Sequence, residues 1–241
     1  MGVNQIRGIV IQEQPQGENN KHMLVLAKGV GKVRLCAKGA KKTKSPLLAG
    51  TQLFCYCDFT LFEGRGFASV TQADLIESFY DLRTDMEMLS QAMYLAELAD
   101  RICPDNMEHD AVLRYFLLAL QKMTKGNISP KLVGRILEIK WLQVTGFLAS
   151  VVCMECGKGE RLFFAENDAV FLCEKHRTTG AKPLSDGVVQ AMQHVLYETE
   201  QKIFSFAVSD DVLQELDCIM RRYLQVHLGL DLKSRRFMVD I

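Results

Sequence analysis

The chain has 241 residues, of which 48% are apolar and 24% are charged, and its formal net charge is zero. This composition is ordinary for a soluble globular protein, and no run of 18 apolar residues indicates a membrane span. The first twelve residues lack the basic and apolar regions of a secretory signal, so we expect a cytoplasmic protein that has no membrane partner.

Charge is unevenly distributed along the chain. Residues 1–70 contain ten basic and four acidic side chains, a net charge of +6, and the rest of the chain carries −6. Such segregation indicates a basic region that can face a polyanion. Solvated surface charge accounts for the same count, so the charge alone leaves both interpretations open.

The first seventy residues have the pattern of short strands separated by turns. The predicted strands are residues 5–12, 23–27, 32–37, 52–59 and 66–70. In the third of these, Val33, Leu35 and Ala37 alternate with more polar residues, which indicates one apolar face. Five short antiparallel strands favour a small closed barrel, because closure removes exposed edges. Periodicity does not distinguish an OB-fold from an SH3-like barrel.

From about residue 72 the apolar residues recur with helical spacing. A short helix is predicted at residues 75–80, and longer ones at 85–102, 109–123, 130–144, 183–200 and from Ser209 to about Gly229. Ser129 and Pro130 are predicted to cap and begin the fourth of these helices. The overall prediction is a multidomain α+β protein.

A metal-binding motif occupies residues 153–176. Cys153 and Cys156 are followed, after sixteen residues, by Cys173 and His176, in the pattern C-x2-C-x16-C-x2-H. Two residues between ligands let one turn direct both side chains at a single ion, and three thiolates with one imidazole suit tetrahedral Zn²⁺. Four protein ligands leave no open position, so one structural zinc per chain is expected. An iron–sulfur cluster is the alternative.

The other cysteines are predicted to be packing residues. Five remain outside the motif: Cys36, Cys55, Cys57, Cys103 and Cys218. An odd number argues against a disulfide framework, and reduced cysteines behave as small apolar side chains.

A basic loop lies between the third and fourth predicted strands. It contains Lys38, Lys41, Lys42 and Lys44. The neighbouring cations that we include in a predicted DNA-binding surface are Lys28, Lys32, Arg34 and Arg65. Cations neutralise phosphates, and nearby aromatic residues can stack on bases. No Walker A motif, H-E-x-x-H motif or H-x-E deaminase motif is present, so the sequence does not support an enzymatic function.

Several segments resemble RecO proteins, a bacterial family of recombination mediators. Residues 38–50 resemble the family's basic loop, and residues 71–79 resemble its barrel-to-helix junction. Residues 153–176 resemble the zinc module of many members, although His176 stands where many of them have cysteine. Residues 223–235 resemble the family's C-terminal segment. The similarity covers essentially the whole chain in the family's order.

This resemblance implies an OB-fold and a non-enzymatic role in DNA repair and homologous recombination. It implies binding to single- and double-stranded DNA, annealing of complementary strands, and loading of RecA onto DNA that single-stranded DNA-binding protein coats. RecR and the acidic C-terminal tail of that coating protein are the implied protein partners. Cations on predicted helices that could bind the tail are Arg114, Lys131 and Arg135.

The expected domains are an OB-fold at residues 1–72, a first helical part at 73–150, a zinc module at 151–180, and a second helical part with the C-terminal tail at 181–241. The alternative function is that of an RNA-binding or structural OB-fold protein that has a zinc ribbon and no mediator activity. Salt-dependent binding to DNA and to RNA of equal length would distinguish the two.

Overall fold

A computed structural model describes residues 3–63, 67–126 and 128–238. The chain forms two compact units, Met1–Thr124 and Lys125–Ile241. The expected boundaries at residues 72, 150 and 180 divide the chain differently, because the first unit contains two helices in addition to the barrel. No helix among the described residues combines the length and the apolarity that crossing a membrane requires.

The first unit contains a closed five-stranded barrel in which the strands are arranged in the order β1-β2-β3-β5-β4. Its strands are β1 (Val3–Gln16), β2 (Asn20–Ala27), β3 (Gly31–Ala37), β4 (Tyr56–Phe62) and β5 (Ala68–Glu77). Neighbours pair antiparallel except β3 and β5, which pair parallel at Leu35–Ala68 and Cys36–Ser69. This architecture is OB-like and confirms the predicted fold class.

Alternating residues of the strands fill the barrel. Val10, Val25, Leu35, Phe59 and Val70 are among the buried members of this core. The opposite faces of β1 and β2 are also apolar at Ile9, Leu24 and Leu26, which are buried as well. Helix α1 (Met86–Ile102) packs against β1, and helix α2 (Asp110–Thr124) packs against β2. These two helices therefore belong to the same compact unit as the barrel.

Two sequence predictions in this unit are wrong. Residues 75–80 are not a helix: β5 continues to Glu77, where it pairs with Tyr56 of β4, and a short 3₁₀ helix follows at Tyr80–Arg83. Residues 52–55 are not part of a strand: Phe54 has a positive φ of 65°, and its ring is buried against that of Phe116 of α2. Both errors arise from contacts with distant residues, which local periodicity does not report.

The second unit combines three helices with a small three-stranded sheet. Its helices are α3 (Pro130–Val144), α4 (Asp186–Tyr197) and α5 (Asp210–Leu228). Its strands are β6 (Leu162–Ala165), β7 (Val170–Cys173) and β8 (Lys182–Pro183), and a 3₁₀ helix at Lys233–Phe237 follows α5. The hydroxyls of Ser185 and Ser209 accept from the backbone amides of Val188 and Val212, which caps α4 and α5. Gly229 ends α5 with a φ of 63°.

The predicted cap of α3 and the predicted first residue of α4 need correction. Ser129 occupies the position before α3, but its side chain makes no capping hydrogen bond, and only Pro130 acts as predicted at the first turn. The helix predicted from residue 183 begins at Asp186, because Lys182 and Pro183 pair with β6. In both cases the helix itself was predicted correctly.

A buried charge network holds the second unit together. Arg135 and Glu138 of α3 are almost fully buried, and Arg135 Nε lies 2.9 Å from Glu138 Oε2. Arg135 also pairs with Asp217 of α5, and Arg235 of the C-terminal 3₁₀ helix contacts both Asp217 at 2.7 Å and Glu138 at 3.5 Å. The network links α3, α5 and the C-terminal segment.

Replacing Glu138 with glutamine should destabilise this network. The change removes the negative charge that Arg135 faces in the interior, and an uncompensated buried charge typically costs about 3 kcal/mol or more. Urea unfolding of Glu138→Gln should show a loss of this size. The control Glu160→Gln, at an exposed position, should stay within about 0.5 kcal/mol of the parent protein. Equal stabilities of the two variants would contradict the proposed role of the network.

Candidate metal centre and nucleic-acid interface

The structure brings Cys153, Cys156, Cys173 and His176 together. One ligand atom from each of the four lies within 4.8 Å of the others. The Cys156 and Cys173 sulfurs are 3.7 Å apart, and His176 Nδ1 lies 3.5 Å from the Cys153 sulfur and 3.4 Å from that of Cys173. Among the described residues, this is the one group of at least three such side chains that can hold a metal ion.

Two tight turns place the four ligands. In the first turn the amide of Gly157 donates to the carbonyl of Cys153 at 2.8 Å, and Gly157 has a φ of 72°, a conformation that favours glycine. In the second turn, just after β7, the amide of His176 donates to the carbonyl of Cys173 at 3.0 Å. The hairpin of β6 and β7 brings the second turn beside the first.

The geometry of the cluster fits a tetrahedral ion. Metal–sulfur bonds of about 2.3 Å and metal–nitrogen bonds of about 2.0–2.1 Å give tetrahedron edges of about 3.8 Å between sulfurs and about 3.5 Å between sulfur and nitrogen. The separations in this structure match those edges. Burial raises the pKa of the Cys153 thiol, but the backbone amides of Cys173, Glu155 and Cys156 outweigh it and lower that pKa to about 6. This shift favours the thiolate, which is the form of cysteine that binds metals.

The cysteines outside the cluster are mostly packing residues, as predicted. Cys36, Cys55, Cys57 and Cys103 are buried, whereas Cys218 on α5 is exposed. The Cys57 sulfur lies 3.3 Å from the carbonyl oxygen of Gly50, and burial raises the pKa of this thiol to about 12. A neutral, buried thiol of this kind is unsuited to metal binding.

The basic loop is exposed and anchored at its start. The side chains of Lys38, Lys41, Lys42 and Lys44 are all exposed, and none of them forms an ion pair with a described residue. The Gly39 amide donates to Asn20 Oδ1 at 2.9 Å, and the Lys41 amide donates to the carbonyl of Asn19 at 3.0 Å. These bonds tie the loop to the turn between β1 and β2.

The other predicted DNA-binding residues lie in different surroundings. Arg34 is exposed in the middle of β3, and Lys28 is exposed at the hairpin between β2 and β3. At about 3.3 Å per residue, β3 separates this hairpin from the basic loop by about 20 Å. Arg65 lies outside the described residues. The predicted surface is therefore distributed along β3, and the lysines of the loop form its densest part.

Lys32 is buried and paired with carboxylates. Its ammonium lies 2.8 Å from Asp100 Oδ1 and 3.0 Å from Asp105 Oδ1, and it also donates to the Asp100 carbonyl at 2.6 Å. Burial lowers its pKa, but the two carboxylates outweigh this effect and raise the pKa above its ordinary value. Because a phosphate would have to displace both carboxylates, we omit Lys32 from the proposed interface.

Family models match both parts of the chain. The model described as "Recombination protein O N terminal" matches residues 1–79, and the one described as "Recombination protein O C terminal" matches residues 83–236. The chain belongs to the RecO family. Its relatives include proteins named DNA repair protein RecO, and both the N-terminal barrel and the helical part fall within the matched regions.

Three of these relatives cover nearly the full chain. The RecO protein of Acetivibrio thermocellus is 35% identical over 226 residues, which are 92% of this chain and 90% of the relative. That of Alkaliphilus metalliredigens is 30% identical over 92% of each chain. That of Shouchella clausii is 29% identical over 97% of this chain and 93% of the relative. The family assignment thus applies to the whole chain and supports a general role in DNA repair.

Removal of one thiolate should release the metal. We expect elemental analysis of the protein, purified without chelator, to find about one zinc per chain, and Cys156→Ser to lose most of it and to lower the thermal stability of the protein. DNA affinity should fall only secondarily. The control Cys218→Ser changes an exposed thiol outside the cluster and should keep both metal and stability. Metal-free parent protein of full stability would refute this prediction.

Proposed function

We propose that this chain is a recombination mediator that catalyses no covalent reaction. In this role it binds single- and double-stranded DNA, anneals complementary strands and, together with RecR, helps load RecA onto DNA coated by single-stranded DNA-binding protein. The observation that carries the proposal is the match of RecO family models to both parts of the chain. The exposed lysine loop on an OB-like barrel supplies a surface of the appropriate charge.

Phosphate binding is assigned to the basic loop. Four exposed lysines within seven residues provide cations that are not neutralised by described carboxylates. Arg34 on β3 and Lys28 at the adjoining hairpin extend this charge along one strand, and Arg65 is retained from the sequence prediction. Contacts to phosphates carry no sequence information, so binding should be insensitive to sequence and should weaken with salt.

A structural zinc ion is the proposed occupant of the Cys₃His cluster. Cys153, Cys156, Cys173 and His176 would all be ligands, which leaves no position for a substrate or a reactive water. The ion would join the turn at residues 153–157 to the turn that follows β7. Its proposed contribution is therefore to the stability of the second unit and not to DNA chemistry.

The acidic tail of single-stranded DNA-binding protein requires a cation beside an apolar surface. Arg135 is removed from the candidates, because it is buried against Glu138 and Asp217. Arg114 on α2 remains, since it is exposed and its guanidinium lies 5.3 Å from the centre of the Tyr115 ring. Lys131 at the start of α3 is half-buried and also remains. We propose that this protein-binding surface is distinct from the lysine loop.

Replacement of three loop lysines should weaken the salt dependence of DNA binding. Each lysine that contacts a phosphate releases about one counterion, so Lys41/Lys42/Lys44→Ala should reduce the slope of log K against log salt concentration by roughly two to three. Fluorescence anisotropy with labelled DNA measures this slope. The control Lys125/Lys158/Lys202→Ala removes the same charge from exposed positions elsewhere and should leave the slope nearly unchanged. Identical slopes for the two variants would place the DNA site elsewhere.

The mediator role predicts binding of the acidic tail as a separate activity. A labelled tail peptide should bind with a dissociation constant in the micromolar range or below, and loss of the peptide's terminal phenylalanine should abolish binding. The Lys41/Lys42/Lys44→Ala variant should still bind it, and Arg114→Ala should bind it less tightly if Arg114 is the cation. In annealing assays the parent protein should pair strands coated by single-stranded DNA-binding protein. A protein that binds DNA but not the peptide would be an annealing factor and not a mediator.

A further inference from the structure

Phe67 is an exposed aromatic side chain that lies beside Arg34 on the surface of the barrel. Of the phenylalanines around the fourth strand and the loop that follows it, Phe54 and Phe59 are fully buried, whereas Phe62 is 41% and Phe67 is 53% exposed. The His22 ring contacts Phe67 edge to face, with ring centres 5.5 Å apart. Exposure of so large an apolar surface is unfavourable in water, and it places a flat ring where a ligand can reach it.

Strand pairing positions this ring on the outer surface of β2 and β3. Leu35 of β3 pairs with Ala68 of β5 in a parallel arrangement. The preceding residues of the two strands, Arg34 and Phe67, therefore lie beside each other. His22 pairs with Cys36 on the opposite side of β3. We name Phe67, His22 and Arg34 the stacking cluster. Two clefts, of about 70 Å³ and about 360 Å³, flank it, and Phe67 and Arg34 line both.

The linings of the two clefts suit a nucleotide. Among the described residues, the polar side chains that line the smaller cleft are Gln12, Gln14, His22 and Arg34, and none is a carboxylate, so the cleft presents hydrogen-bond donors and positive charge. The larger one is lined by apolar side chains together with the amides Asn4 and Asn106, the cations Lys32 and Arg34, and the carboxylates Glu63 and Asp105. Asp105 is paired with Lys32. A base on Phe67 can thus direct its phosphate toward Arg34 and the smaller cleft, away from Glu63.

The stacking cluster is continuous with the basic loop. Lys21, next to His22, pairs with Ala37, the last residue of β3, and Lys38 follows directly. Cys36 and Lys38 are separated by about 7 Å of strand, which is comparable to one nucleotide of an extended single strand. Phosphates bound by the loop therefore place neighbouring bases within reach of Phe67.

We propose that Phe67, flanked by His22 and Arg34, is a stacking platform for an unpaired base of single-stranded DNA. The proposal rests on the proposed DNA-binding function and adds to it a contact that a duplex cannot make, because its bases are already stacked on each other. An aromatic ring of this kind binds any base, without sequence preference. The platform would hold a base unpaired while the loop lysines hold the backbone.

The test compares two labelled single strands with equal numbers of phosphates, oligo(dT) and an abasic strand, at one salt concentration. Phe67→Ala should bind oligo(dT) about ten-fold more weakly, the effect of losing one stacked base, and should bind the abasic strand as the parent protein does. Its salt slope should be unchanged, because no phosphate contact is lost. Tyr80→Ala, which removes another exposed aromatic side chain of the same unit, is the control and should bind both strands normally.

A second variant reports the contact directly. Phe67→Trp should keep the affinity for oligo(dT), and the fluorescence of the new indole should be quenched by oligo(dT) but not by the abasic strand. The natural Trp141 is buried and gives a constant background, which is measured in the parent protein.

Three results would overturn the platform. They are full oligo(dT) affinity in Phe67→Ala, an equal loss for the abasic strand, and no base-dependent quenching in Phe67→Trp. The second would instead indicate that Phe67 supports the fold or docks a protein. If the parent protein binds DNA and the variants give any of these results, the platform fails and the DNA-binding function stands. If the parent protein binds neither strand, the proposed function fails together with the platform.

Discussion

The parallel pairing of β3 with β5 closes the barrel, and the arrangement of its surface depends on that contact. The pairing spans only Leu35–Ala68 and Cys36–Ser69, yet it joins the two ends of the sheet and removes the exposed edges that an open sheet would carry there. It also places Phe67, the residue just before β5, on the outer surface of the barrel next to β3. Phe67 consequently lies next to Arg34 and His22 instead of at a distant edge.

Two cations on the outer face of β3 lie in different surroundings. Lys32 and Arg34 occupy the outer face of β3 two residues apart, but Asp100 at the end of α1 and Asp105 beyond it approach Lys32 and bury it. Gly31 permits this approach, since a Cβ at that position would lie 1.7 Å from the carbonyl oxygen of Met107. The helical segment therefore attaches at one end of β3, which leaves the middle and the far end of the strand for the proposed DNA contacts.

The candidate metal cluster and the proposed DNA-binding surface belong to different compact units of the chain. The Cys₃His cluster lies within residues 125–241, and the lysine loop and Phe67 lie within residues 1–124. This division explains why we expect the loss of a thiolate to reduce stability first and DNA affinity second. The buried Arg135–Glu138 pair and its partners Asp217 and Arg235 have a comparable role in the second unit, since they bind α3, α5 and the C-terminal segment through charges that are costly to leave unpaired.

The sequence by itself determined the properties that depend on local spacing and chemistry. The C-x2-C-x16-C-x2-H motif identified all four members of the cluster, because two-residue spacing allows a turn to direct both ligands to one point. Helical periodicity located the long helices, and the concentration of lysines identified the exposed loop. The tertiary structure decided what depends on contacts between distant residues: that 75–77 extend β5, that Phe54 turns inward against Phe116, and that Arg135 is buried. It also decided that Lys32 is neutralised and that Phe67 is exposed beside Arg34, because strand register and helix packing, not residue type, determine which side chains face water.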